Sequence, residues 1–183
     1  MERAEERPPD VIGTAERLLR PHARVRLGAK RTFDLMLALV LLVALAPLML
    51  LAAVLLLGAD EWLEKRDRLG RDGRLLRLWR FGPLPGRVGR ALGRAGVREL
   101  PLLLSVMGGG LSFVGPRALS PDERDFGPRR LMAPGLIGPA QRWATDPTTA
   151  AELDDAYVEE WSLRRDLRLL TSLRRRPPIA VRR

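Results

Sequence analysis

Residues 35–57 read LMLALVLLVALAPLMLLAAVLLL, 23 positions without a charge and with one proline, Pro47, near the middle. A helix that crosses a bilayer needs about 20 such residues. The run is too long, and starts too far from Met1, for a signal peptide. Proline removes a backbone donor and crowds the preceding turn, so Pro47 predicts a kink or break.

The flanks carry the topology. Arg24, Arg26, Lys30 and Arg31 precede the run, and Lys65, Arg66, Arg68, Arg71, Arg74, Arg77 and Arg80 follow it. Basic residues at membrane ends favour the cytoplasmic side. A helix–break–helix that enters and leaves one leaflet satisfies both flanks, and a straight span satisfies one. The expected architecture is therefore a mostly helical α+β protein, monotopic, with a re-entrant hairpin at Pro47 and a small interfacial domain. Its expected seat is the cytoplasmic face of the membrane.

Outside this run the chain reads in three parts. Residues 1–30 are charged, and Val11 to Leu19 predicts a short amphipathic helix. The membrane element takes residues 31–58 and the cytoplasmic domain 59–173. Within that domain, Asp72-Gly73 sits at the centre of a predicted β-hairpin. Ser112 to Val114 predicts a short strand, Ala133 to Gln141 is expected to be irregular, and Asp154 to Leu173 has helical spacing. Residues 174–183 form a basic tail suited to headgroups.

The composition excludes much chemistry. The 183 residues include no Cys and one His, His22, so histidine triads, histidine metal centres and thiolate sites are ruled out. The net charge of +10 points to anions, and beside a membrane run these are lipid headgroups and phosphates. Four Trp, one Tyr and four Phe offer little base stacking, so nucleic acid is disfavoured. The four Trp are expected in the core or at the membrane interface.

A series of short motifs resembles the bacterial sugar transferases, the monotopic polyprenol-phosphate phosphoglycosyl transferases. In order they are Lys30-Arg31-Thr32-Phe33-Asp34, Arg68-Leu69-Gly70-Arg71-Asp72-Gly73, Arg87-Val88-Gly89-Arg90 and Glu99-Leu100-Pro101. There follow Ser112-Phe113-Val114-Gly115-Pro116-Arg117, Pro134-Gly135-Leu136-Ile137-Gly138-Pro139-Ala140-Gln141, and Tyr157-Val158 with Trp161-Ser162-Leu163 and Asp166. The resemblance implies transfer of a sugar phosphate from a nucleotide sugar to a polyprenol phosphate. It also implies a magnesium ion and an Asp nucleophile directly before Glu-Leu-Pro.

That Asp position is Arg98 here. A guanidinium is permanently cationic and cannot attack a phosphate. Other polar family positions are lost as well: Gly110 replaces an acid, Ile137 a Thr, Ala118 a Pro and Arg66 a Gln, and Arg80-Phe81-Gly82-Pro83-Leu84 lacks the family's Arg and Ser. The expectation is a pseudoenzyme that pairs with an active transferase or with itself, without cofactor. Arg98, Arg117 and Gln141 are its candidate ligand contacts, with a salt bridge from Arg98 to Glu99 or a nearby acid as the competing role. The alternative is an active enzyme using Glu99, with magnesium.

Overall fold

The computed structural model describes residues 10–123 and 127–171. Both the extreme N-terminal residues and the expected basic tail lie outside that range.

Helix α1 (Val11–Leu19) forms where it was expected, capped by the Asp10 carboxylate, which accepts from Gly13 N. It is tied to the body by Arg17, whose guanidinium donates to the Glu159 carbonyl at 2.6 Å. Helix α2 (Pro21–Leu55) then takes up the basic flank and the apolar run as one 35-residue element. The expected break is absent, and Pro47 sits inside the helix. Proline costs one N–H, the bond to the Val43 carbonyl, and both residues are exposed at that point, so the ring meets no packed neighbour.

One face of α2 packs on the body at two places. Lys30, Asp34 and Ala38 face one apolar cluster with Leu41 and Leu42, and Met49, Ala52 and Leu56 face a second. The three-to-four spacing is that of a single helix face. The two clusters are contiguous through Leu100, which packs against both. The other face is bare: Val43 is 70% exposed and Leu50 68%.

The hairpin expected around Asp72 is β1 (Leu63–Leu69) against β2 (Leu75–Phe81), antiparallel, with Glu64 opposite Arg80. Its turn needs positive φ at Asp72 (57°) and Gly73 (72°), which Asp tolerates and Gly favours. Helices α3 (Gly86–Arg94) and α4 (Leu102–Met107) follow, separated by a 3-10 turn at Val97–Glu99.

Two expectations are corrected. The segment from Ala133 to Gln141 is ordered into strand β4 (Gly135–Ile137), parallel to β3 (Ser112–Val114), followed by helix α5 (Pro139–Trp143). Glycine makes this possible: a Cβ on Gly135 would lie 2.1 Å from Gly115 N. The helical pattern after Asp154 is two helices, α6 (Pro147–Glu159) and α7 (Leu163–Thr171). They part at Glu160–Ser162, where the Ser162 carbonyl accepts from Arg165 N and Asp166 N to restart the helix.

Candidate functional site

Arg98 and Glu99 sit in the 3-10 turn between α3 and α4. The Arg98 guanidinium donates to Glu64 Oε1 at 2.5 Å and to the Phe81 carbonyl at 3.1 Å. Glu64 Oε2 accepts from Arg80 Nε at 2.7 Å, and Arg80 in turn lies 3.4 Å from Glu99 Oε1. Four side chains thus form a neutral chain, Glu99–Arg80–Glu64–Arg98. The hydrogen bond from Arg80 holds the Glu64 carboxyl below the usual Glu range, helped by the charges of Arg80 and Arg98.

The competing role for Arg98 is therefore the one seen, with Glu64 rather than Glu99 as the acid. Sequence reading missed Glu64 and Arg80. The signal was available: counting back from the Asp72 turn pairs Glu64 with Arg80 across the hairpin.

The loop that carries Arg117 and the start of helix α5, which carries Gln141, are joined by a residue that no motif singled out in this role. Asp154, fully buried on α6, accepts from Arg117 N at 2.8 Å and from Ala140 N at 3.4 Å. Burial pushes its carboxyl up to about 6, against the pull of those two bonds. Gln141 donates to the Gly135 carbonyl at 3.1 Å, and the Arg117 side chain reaches Glu123 at 3.2 Å. A cleft of about 140 Å³ opens here, lined by Gly70, Asp72, Arg117, Arg129, Arg130 and Pro134. It lies at the turn end of the hairpin, where Leu69 bridges Leu119, whereas Arg98 is bound at the open end beside Glu64. The structure does not bring Arg98 and Arg117 together.

The first and last resemblance motifs prove to be one buried network. Lys30 Nζ donates to Asp166 and to the Val114 carbonyl, both at 2.7 Å. Asp166 also accepts from Tyr157 Oη at 2.6 Å and from Trp161 Nε1 at 3.2 Å. Burial, with the Asp166 charge, raises the Tyr157 hydroxyl well above its ordinary pKa and keeps it a donor. Nearby, Asp34 accepts from Ser112 Oγ at 2.7 Å and from Phe113 N at 3.2 Å. Trp62 and Trp79, by contrast, are exposed.

The family model for bacterial sugar transferases matches residues 83–175, just over half of the chain. The UDP-glucose:undecaprenyl-phosphate glucose-1-phosphate transferase of Caulobacter vibrioides is 38% identical over 100 residues, covering 46% of this chain and 38% of that protein. The E. coli K12 protein of the same name is 28% identical over 177 residues, covering 77% of this chain and 38% of its own length. The exopolysaccharide production protein ExoY of Rhizobium meliloti is 33% identical over 121 residues, covering 60% and 54%. The chain spans well under half the length of the two transferases. The scaffold residues and the profile match agree, and the chain belongs to the bacterial sugar transferase family.

Proposed function

We propose that this chain is a catalytically inactive member of the family, a membrane-docked scaffold that pairs with an active phosphoglycosyl transferase in exopolysaccharide or glycoconjugate assembly. One observation carries this reading: at the nucleophile position stands Arg98, committed to an ion pair with Glu64. Covalent catalysis there needs an anionic oxygen, and a guanidinium supplies none at any physiological pH. Glu99 is the carboxylate next in sequence, but it leaves a different backbone position and is itself held by Arg80.

The same residues do not fit magnesium. Both Glu64 oxygens are taken by guanidinium groups, and Glu99 has one oxygen 3.4 Å from Arg80, so the carboxylates at this position already face two fixed cations. Magnesium prefers several hard oxygen donors in octahedral array. Ligand contact is assigned to the cleft at Arg117, which Gln141 does not line, and a phosphate of a nucleotide sugar or of polyprenol phosphate matches the guanidinium geometry there.

The membrane reading has its own support. From Asp34 to Leu56 a straight helix runs about 33 Å, enough to cross a hydrocarbon core of about 30 Å. Yet Asp34 is bonded to β3, and Leu56 packs with Phe81, Leu84 and Val97. Both ends are docked on one globular body, which supports α2 being held from one side, on the cytoplasmic face of the inner membrane. Only 11% of its most apolar window is buried, so the bare face needs lipid.

The deciding experiment is an assay of the purified protein with labelled nucleotide sugar and polyprenol phosphate. No turnover and no covalent sugar adduct are expected. Turnover that disappears in Glu99→Ala would establish the active alternative. Co-purification from membranes tests the pairing: recovery with an active transferase is expected, and recovery as a lone stable monomer counts against it.

A further inference from the structure

Two short helices flank the apolar run of α2, and both present arginines that no contact among the described residues explains. Helix α3 packs Gly89 onto Leu84, and Leu92 joins the cluster around Ala52 and Leu56, so α3 lies against the C-terminal end of α2. Its opposite side carries Arg87, Arg90 and Arg94, spaced to share one face. Helix α7 is pinned beside the start of the apolar run by the Lys30–Asp166 pair. Its outer side carries Arg164 and Arg168, with Leu167 between them.

None of these five arginines has a hydrogen bond or ion pair among the described residues. Helix α3 contains no acid at all. Each helix also exposes an aliphatic residue beside its cations: Val88 is 60% exposed and Leu167 52%. Solvated arginine on an ordinary surface has no need of that pairing. Cations beside a bare aliphatic side chain are what an interfacial helix uses, with the guanidinium at the phosphate and the aliphatic group below it.

We propose that α3 and α7 dock on anionic phospholipid headgroups at the two ends of the apolar run of α2, through Arg87, Arg90 and Arg94 at one end and Arg164 and Arg168 at the other. The inference rests on the reading that α2 is held from one side of the bilayer. The docking follows the anionic lipid fraction and is screened by salt, whereas insertion of α2 is apolar and follows neither. The two ends together fix the tilt of the body against the surface.

The chain has no cysteine, so single-cysteine reporters are specific. Full-length Val88→Cys, Leu167→Cys and Val43→Cys proteins, each labelled with an environment-sensitive fluorophore, are reconstituted into vesicles of phosphatidylcholine alone or mixed with phosphatidylglycerol. The reporters at 88 and 167 are expected to shift to the blue only with phosphatidylglycerol, and to revert at about 1 M salt. The reporter at 43 is expected to be blue-shifted in both lipids at any salt. Replacing Arg87, Arg90 and Arg94 with Gln should raise the phosphatidylglycerol needed at position 88 by roughly threefold or more, and leave position 167 unchanged. Positions 88 and 167 indifferent to phosphatidylglycerol, with position 43 in lipid, would overturn this proposal alone. A reporter at 43 that stays in water overturns the membrane reading, and this proposal with it.

Discussion

Lys30 and Asp166 meet at 2.7 Å across 136 residues of sequence, and the contact joins the root of the apolar run of α2 to α7. Both groups are nearly withdrawn from water. Desolvation opposes such a pair, and its further bonds offset that cost: the Val114 carbonyl on the ammonium, and Tyr157 and Trp161 on the carboxylate. Removing one partner leaves an uncompensated buried charge.

Lys30→Met and Asp166→Asn are therefore each expected to destabilise the protein by about 3–5 kcal/mol. The double variant should cost less than the sum, by about 1–3 kcal/mol, because neither orphan charge remains. Denaturant unfolding in detergent micelles measures all three. Strict additivity would show that the two residues do not act as a pair.

Asp154 makes stability depend on pH. Burial pushes its carboxyl up to about 6 in the folded protein, from an ordinary value of 3.8, so the folded state holds the proton more tightly. That contribution is fully present below about pH 4 and is lost as pH rises through 6. A shift of about two units corresponds to about 3 kcal/mol. Between pH 6 and 4.5 the melting temperature is expected to rise as pH falls. The ion-paired Glu64 works the other way, losing stability only as pH falls below its unfolded range. Asp154→Asn should flatten the upper slope. It should also lower stability at every pH, because the amide NH₂ would face a backbone N–H.

The parallel pairing of β3 and β4 depends on two bare α-carbons. A Cβ on Gly115 would stand 2.5 Å from the Ala133 carbonyl oxygen and 2.7 Å from Gly135 N, both backbone atoms that cannot swing aside. Gly115→Ala is expected to cost more than about 3 kcal/mol and to misplace Arg117, two residues on. Gly28→Ala is the control. It lies inside α2 with nothing within 4 Å, and should stabilise by about 0.5–1 kcal/mol. Thermal melts of the two variants should move in opposite directions.

What the sequence made legible was local. Asp72-Gly73 placed the hairpin, and residues 35–57 placed the long apolar helix. Those signals rest on turn chemistry and hydrophobicity, which act over a few neighbours. The β4 strand was missed because Pro and Gly dominate Ala133 to Gln141. There, glycine serves a close backbone approach to Gly115, a partner 20 residues upstream. Glu64 was missed for a related reason. Its meaning lies in two arginines supplied by β2 and by the turn after α3. Arg98 was legible as a chemical reversal, and its partner became legible only in three dimensions.

The seating of α2 predicts where its two flanks lie. If the globular body stays on the cytoplasmic side, residues before and after the apolar run share that side, because Lys30, Asp34 and Leu56 are all fastened to it. Arg24→Cys and Arg74→Cys are suitable probes, since both positions are exposed and the chain brings no cysteine of its own. In intact spheroplasts a membrane-impermeant maleimide should label neither. In inverted vesicles it should label both. Each substitution also removes one basic residue of about four to seven on its flank, too little to invert a bias set by the whole cluster. Labelling of Arg24→Cys in one preparation and Arg74→Cys in the other would mean that α2 crosses the bilayer, and the docking of both its ends on one body would then be wrong.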